Sequence, residues 1–300
     1  MTPTDHHATS NERIHREIAG TLGLLADAVD FTAMRRYRSF PFDDHHAYLR
    51  HTEAVLRALD ARGQHTSIAL FDPEQYASYC ARTGIDPDTR ASRTRFTAEL
   101  AATGPTVPYD GRPLAELLPD LLDETARQAT WEYATHALAR AGECATCGED
   151  IGRAAFARAC DLLLRILRSA RPGAHHLVGS VTTPAETLLG VFRARSDATG
   201  LTEADEAAAV ELATVLATGF ATRSPGGLVM RTTTPGHDDR VQGWRLVDDG
   251  LAPLTAAQVF DAYCTDAVSG EPISPESGVD YCAPPDIDGI GPGTSGHTHH

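Results

Sequence analysis

The break at Arg171-Pro172-Gly173 constrains this chain most, because the texture of the sequence changes there. Ahead of it, apolar residues return at intervals of three and four, the spacing of one helix face; behind it come short β-rich runs. Proline removes a backbone donor and glycine frees φ, so a helix cannot run on through the pair. The reading is α+β: a helix-rich amino-terminal part over residues 11–171, then a ββαββ antiparallel-sheet part over residues 174–283. Residues 1–10 and the Pro/Gly-rich tail 284–300 read as disordered.

In the first part, Ile14, Ile18, Leu22, Leu25 and Val29 predict an amphipathic helix over Asn11 to Asp30, capped by Ser10 or Asn11. A second helix, Asp44 to Arg62, places Tyr48, Leu49, Thr52, Val55, Leu56 and Leu59 on one face and stops at Gly63. His65 to Phe71 is a strand-like run, and Asp72-Pro73 opens a helix that ends at Gly84. Further helices are expected over Ser92–Thr103, Leu114–Ala141 and Ile151–Ala170. In the second part, strands Leu188 to Phe192 and Val229 to Thr233 flank a helix whose cap is expected at Thr202, with Asp205 three residues on.

Charge and composition narrow the function classes. A formal net charge of -15 repels phosphate backbones and anionic lipid, which argues against nucleic acid and membrane as partners and leaves another protein. The densest basic stretch, Arg35, Arg36 and Arg38, reads as a solvated turn. No lysine occurs, so all 26 basic positions are arginine. Schiff-base chemistry and phosphate-binding lysines are thereby excluded, and with them pyridoxal-phosphate enzymes and P-loop proteins. Met1 to Glu17 lacks an apolar signal core and no run reaches about 18 apolar residues, so the expected location is cytoplasmic. In such a reducing compartment a Cys-x-x-Cys pair points to metal or redox chemistry before a disulfide.

That pair is Cys144-Ala145-Thr146-Cys147-Gly148, with Glu149-Asp150-Ile151 leading into a helix. Two thiolates three positions apart, followed by a glycine that permits φ > 0, let the backbone curl around one ion. The segment over 144–151 resembles the knuckles of zinc ribbons and treble clefs, and is similar to the first half of the zinc finger in DksA/TraR-family transcription factors. The resemblance implies a structural zinc and allows a transcription-associated regulator as one reading. Two further ligands are then needed, and Cys264 and Cys282 are the natural candidates, giving the set Cys144, Cys147, Cys264 and Cys282. A redox dithiol is the rival, disfavoured because a helix rather than a strand precedes the pair. Cys80 and Cys160 read as core residues.

A second candidate is the segment Asp43-Asp44-His45-His46 with His51, where carboxylates and imidazoles could hold a cation that activates water in a metal-dependent hydrolase. The plainer alternative is an Asp-capped helix, since His46 and His51 diverge by about 140° around a helix. His175 and His176 are neighbours in an expected strand and should point to opposite faces. The function expected from the whole is a non-catalytic cytoplasmic regulatory or assembly protein with a structural zinc site.

Overall fold

The computed structural model describes residues 20–248, 250–266, 269–285 and 287. Residues 1–10, most of the expected tail and the first half of the expected Asn11–Asp30 helix lie outside them. The chain divides into two units, Met1–Gln128 and Ala129–His300. The fold is α+β, with helices prevailing in the first part and strands in the second.

The first unit holds strands β1 (Gly20–Leu24), β2 (Thr66–Leu70) and β3 (Val107–Pro108), with helices α1 (Ala28–Met34), α2 (His45–Asp60), α3 (Pro73–Thr83) and α4 (Arg90–Thr103). β1 and β2 are parallel in the register Leu22↔Ile68, and β3 joins β2 antiparallel. Over its described part, residues 20–30, the expected helix is thus corrected: residues 20–24 form a strand and a helix starts at Ala28. The spacing of Leu22, Leu25 and Val29 suits a helix face, yet Leu24 and Leu25 are buried while Val29 is 78% exposed. Parallel pairing with Ile68 overrides that periodicity.

Aspartates start three of these four helices, and Thr89 starts α4. Asp27, Asp44 and Asp72 each accept a hydrogen bond from a first-turn backbone N–H, satisfying donors that the helix itself leaves open. Pro73 follows Asp72 at the first helical position, and Gly84 closes α3 at φ 67°, where a side chain would be strained. Tyr48, Thr52 and Leu56 are the buried face of α2, as their spacing predicts.

Helix α5 (Leu114–Ala139) runs from the first unit into the second, which continues with α6 (Ile151–Ser169), β4 (Gly173–Thr182), β5 (Thr187–Asp197), β6 (Gly200–Ala204), α7 (Glu206–Thr222), β7 (Gly226–Thr233), β8 (Asp239–Val247), β9 (Gly250–Pro253), α8 (Ala256–Tyr263) and β10 (Val279–Tyr281). The sheet order is β10-β8-β7-β4-β5-β6, with β9 also on β8. The expected ββαββ strands are its centre, β4, β5, β7 and β8, all antiparallel. Thr202 lies in β6 and the α7 cap is Asp205, which accepts from Ala208 N at 3.1 Å.

Helix α7 is apolar all round, and every residue from Leu212 to Phe220 is buried. Such a helix needs neighbours on all sides. The sheet supplies one side; α6, through Ala159, Leu162 and Ile166, joins the same core, and the end of α5 meets it where Thr218 Oγ1 donates to Ala134 O at 3.4 Å. Glycines allow the close seating on the sheet: a Cβ on Gly190 would stand 2.9 Å from Leu212 Cα. Because α6 and the end of α5 complete this core, the division between units falls inside α5 and not at Arg171.

Candidate functional site

The Cys144–Asp150 segment folds as a knuckle between α5 and α6. Cys144 N donates to Glu149 O at 2.8 Å and Gly148 N donates to Cys144 O at 2.8 Å, with Gly148 at φ 71°. Glu143 bridges Asp150, and Asp150 then caps α6 by accepting from Arg153 N at 2.7 Å. The loop closes on itself around Cys144, which is 2% exposed, and leaves Cys147 at the surface.

Cys264 and Cys282 are placed elsewhere, on opposite faces of the sheet. Tyr281 pairs with Val241 in register, and its ring meets Phe260 and Tyr263 of α8. Its hydroxyl neighbours the Cys264 thiol. Cys282, the next residue, turns to the α7 side, where the guanidiniums of Arg240 and Arg171 oppose the upward push that burial exerts on its thiol. Arg171 follows the carboxyl end of α6 while the knuckle precedes its amino end, and 19 helical residues span about 28 Å. The expected set Cys144, Cys147, Cys264 and Cys282 is therefore not brought together. Among the described residues no three His, Cys, Asp or Glu side chains converge as metal ligands.

Within the Asp43–His51 segment, Asp44, His45 and His51 make structural contacts, while Asp43 and His46 are exposed. Asp44 Oδ1 accepts from Ala47 N at 2.7 Å, and His45 Nε2 lies 3.1 Å from Leu25 O, just beyond β1. Tyr48 Oη accepts from Leu25 N at 3.1 Å and donates to Gly23 O at 3.4 Å, tying α2 to β1. His51 packs on Phe42 at 5.4 Å.

His175 and His176 do point to opposite faces. Inside, His175 Nε2 lies 2.7 Å from Ser196 Oγ and Nδ1 lies 3.1 Å from Thr232 Oγ1. Burial holds its pKa below the ordinary value, so the ring is a neutral, fully bonded core group.

Outside, His176 belongs to a surface that residue spacing did not reveal. Register places Val191, Val178 and Val229 in one cross-strand row, and Arg193, His176 and Arg231 in the next. Leu189 is 53% and Val191 39% exposed on this face, while Leu188 and Phe192 are buried on the other. Leu254 and Val259 lie over its β8 end at Gly243, and Glu276, paired with Arg231, reaches over β7. Arg193, Arg195 and Arg245 stand exposed here; Arg195 reaches Glu203 at 3.7 Å, whereas Arg193 and Arg245 have no ion pair among the described residues. Arg231 is held by Asp239 at 2.6 Å and by Glu276 at 2.9 Å. Burial, Arg193 and Arg231 together keep the His176 pKa below its usual value. The readable signal was Leu188-Leu189 and Val191-Phe192, apolar residues of both parities in one strand.

Among the described residues, no helix is long and apolar enough to cross a membrane. Against known proteins, no curated protein and no solved structure matches the chain. Residues 9–112, which take in β1 to β3 and α1 to α4, match the model of a family described as a domain of unknown function, DUF8829.

Proposed function

We propose that this chain is a non-catalytic regulatory or assembly protein, and that the open face over β4, β5 and β7 docks an acidic, amphipathic segment of a partner protein. The observation that carries the proposal is the valine row laid beside the Arg193-His176-Arg231 row. Exposed apolar side chains gathered on one sheet face mark interaction sites, and the adjoining arginines select carboxylates. In a chain of net charge -15, Arg193 and Arg245 are the cations on this face that no acid among the described residues neutralises. The face is tested by size-exclusion co-migration of the natively expressed protein, compared with the Arg193→Glu/Arg195→Glu variant. The expected result is an acidic protein at fixed stoichiometry, lost from a variant that stays folded. A partner retained by the variant, or nucleic acid in its place, would contradict it.

We also propose structural zinc at the knuckle, held by Cys144 and Cys147 and closed by two ligands that the described residues of the chain do not supply. The backbone closure around Cys144 and the left-handed Gly148 support this reading, since both are what two thiolates need to face one ion. Metal analysis of tag-free protein tests it: zinc that is lost in Cys144→Ser together with thermal stability is expected, and metal-free native protein would overturn it.

A further inference from the structure

We propose that a cleft in the amino-terminal unit binds a small organic anion built on a planar ring. The cleft has a volume of about 840 Å³, within the range of pockets that hold drug-sized ligands. It opens between β1, the Ser39–Phe42 turn and α4. Its aromatic wall is a contiguous array: Phe40 and Phe42 are 5.4 Å apart, and Phe42 meets Tyr48 edge-on at 5.2 Å. Rings in such an array present both faces and edges to a planar guest.

The polar side is cationic. Arg90 and Arg93, one turn apart on α4, both line the cleft. Arg93 is fixed in place: Nη1 donates to Ser39 Oγ at 2.7 Å and Nη2 to Ser39 O at 2.9 Å. Ser39 N in turn donates to Asp88 Oδ1 at 2.7 Å, so turn and helix are braced before any ligand arrives. A guanidinium anchored through neutral partners keeps its full charge and a free donor for an anion. Arg90, at the first position of α4, is exposed and long enough to close on it. Among the described residues that line the cleft none is acidic, although the chain carries 41 acidic residues. The pocket thus excludes the charge that dominates the rest of the molecule, and a carboxylate or phosphate on an aromatic ring satisfies both of its walls.

Calorimetric titration of the full chain with 2-naphthoate and with adenosine monophosphate tests the assignment and separates a carboxylate from a phosphate ligand. At least one probe should bind one per chain, with its neutral counterpart, 2-naphthol or adenosine, weaker by about tenfold or more. Arg90→Glu should weaken the bound probe by about tenfold or more. An acid at the first position of a helix favours the helix dipole, so this variant keeps its fold and the loss reads on binding. Thr94→Trp, which fills the cleft from the exposed side of α4, should abolish binding. Failure of both probes to bind at millimolar concentration, equal binding of the neutral counterparts, or undiminished binding by Arg90→Glu would overturn the proposal.

Discussion

Val191 and Phe192 are neighbours in β5 with opposite fates, one 39% exposed and the other 2%. Truncating Phe192 to Ala should cost about 3–5 kcal/mol, through lost burial and the cavity left under α7. Val191→Ala should stay within about 0.5 kcal/mol, because water already reaches that side chain. Urea denaturation of the two variants checks the pair; a large loss from Val191→Ala would mean that the outer face is core. His175 gives the second residue-scale expectation. Its folded pKa lies below the ordinary 6.5, so the unfolded chain takes up a proton first as the pH falls. The stability that neutral His175 contributes is present above pH 6.5 and drains as the pH drops through that value toward the folded pKa. Urea midpoints between about pH 7.5 and about pH 5.5 should fall less steeply in His175→Gln than in the native chain. An unchanged slope would contradict a buried neutral ring.

At the scale of elements, α7 depends on glycines that let it approach the sheet. A Cβ at Gly190 would meet the backbone of Leu212 at 2.9 Å, whereas one at Gly179 meets leucine side-chain tips, the nearest Leu212 Cδ1 at 2.6 Å. Gly190→Ala should therefore cost about 1–3 kcal/mol and Gly179→Ala less, because a leucine tip can turn aside and a helix backbone cannot. Thermal melts of the two variants rank them; the reverse order would place the close contact elsewhere. Elements with strong local punctuation were legible from sequence: α3 between Asp72-Pro73 and Gly84, α2 from the stripe Tyr48, Thr52, Leu56, and the four central strands. β1 was not, because Gly-Thr-Leu-Gly-Leu acquires its strand character only by pairing with β2, 46 positions away in the register Gly20↔Thr66. The α7 cap was misplaced for a related reason: Thr202 is taken by pairing with β5, which leaves Asp205 to accept the first-turn amide.

At the scale of the whole molecule, the candidate sites depend on which face of which element a residue meets, and spacing carries little of that. The Cys144–Asp150 turn was legible because the backbone hydrogen bonds that close it are local. Cys264 and Cys282 were not, since the sheet that parts them is built by β8 and β10, distant in sequence. The cleft combines Phe42, Tyr48 and Arg90 from three separate segments, and the docking face is assembled from rows that cross three strands. The second unit is thus a two-sided platform, one face sealed by α7 and the other, in our proposal, left for a partner. The most direct test is photocrosslinking in living cells, with a benzophenone amino acid at position 191 and, as control, at Arg168 on the exposed side of α6. One discrete adduct with an acidic protein is expected at position 191, weakened by Arg193→Glu/Arg195→Glu and absent at 168. No adduct at 191, or the same adduct from both positions, would contradict a docking face on the open side of the sheet.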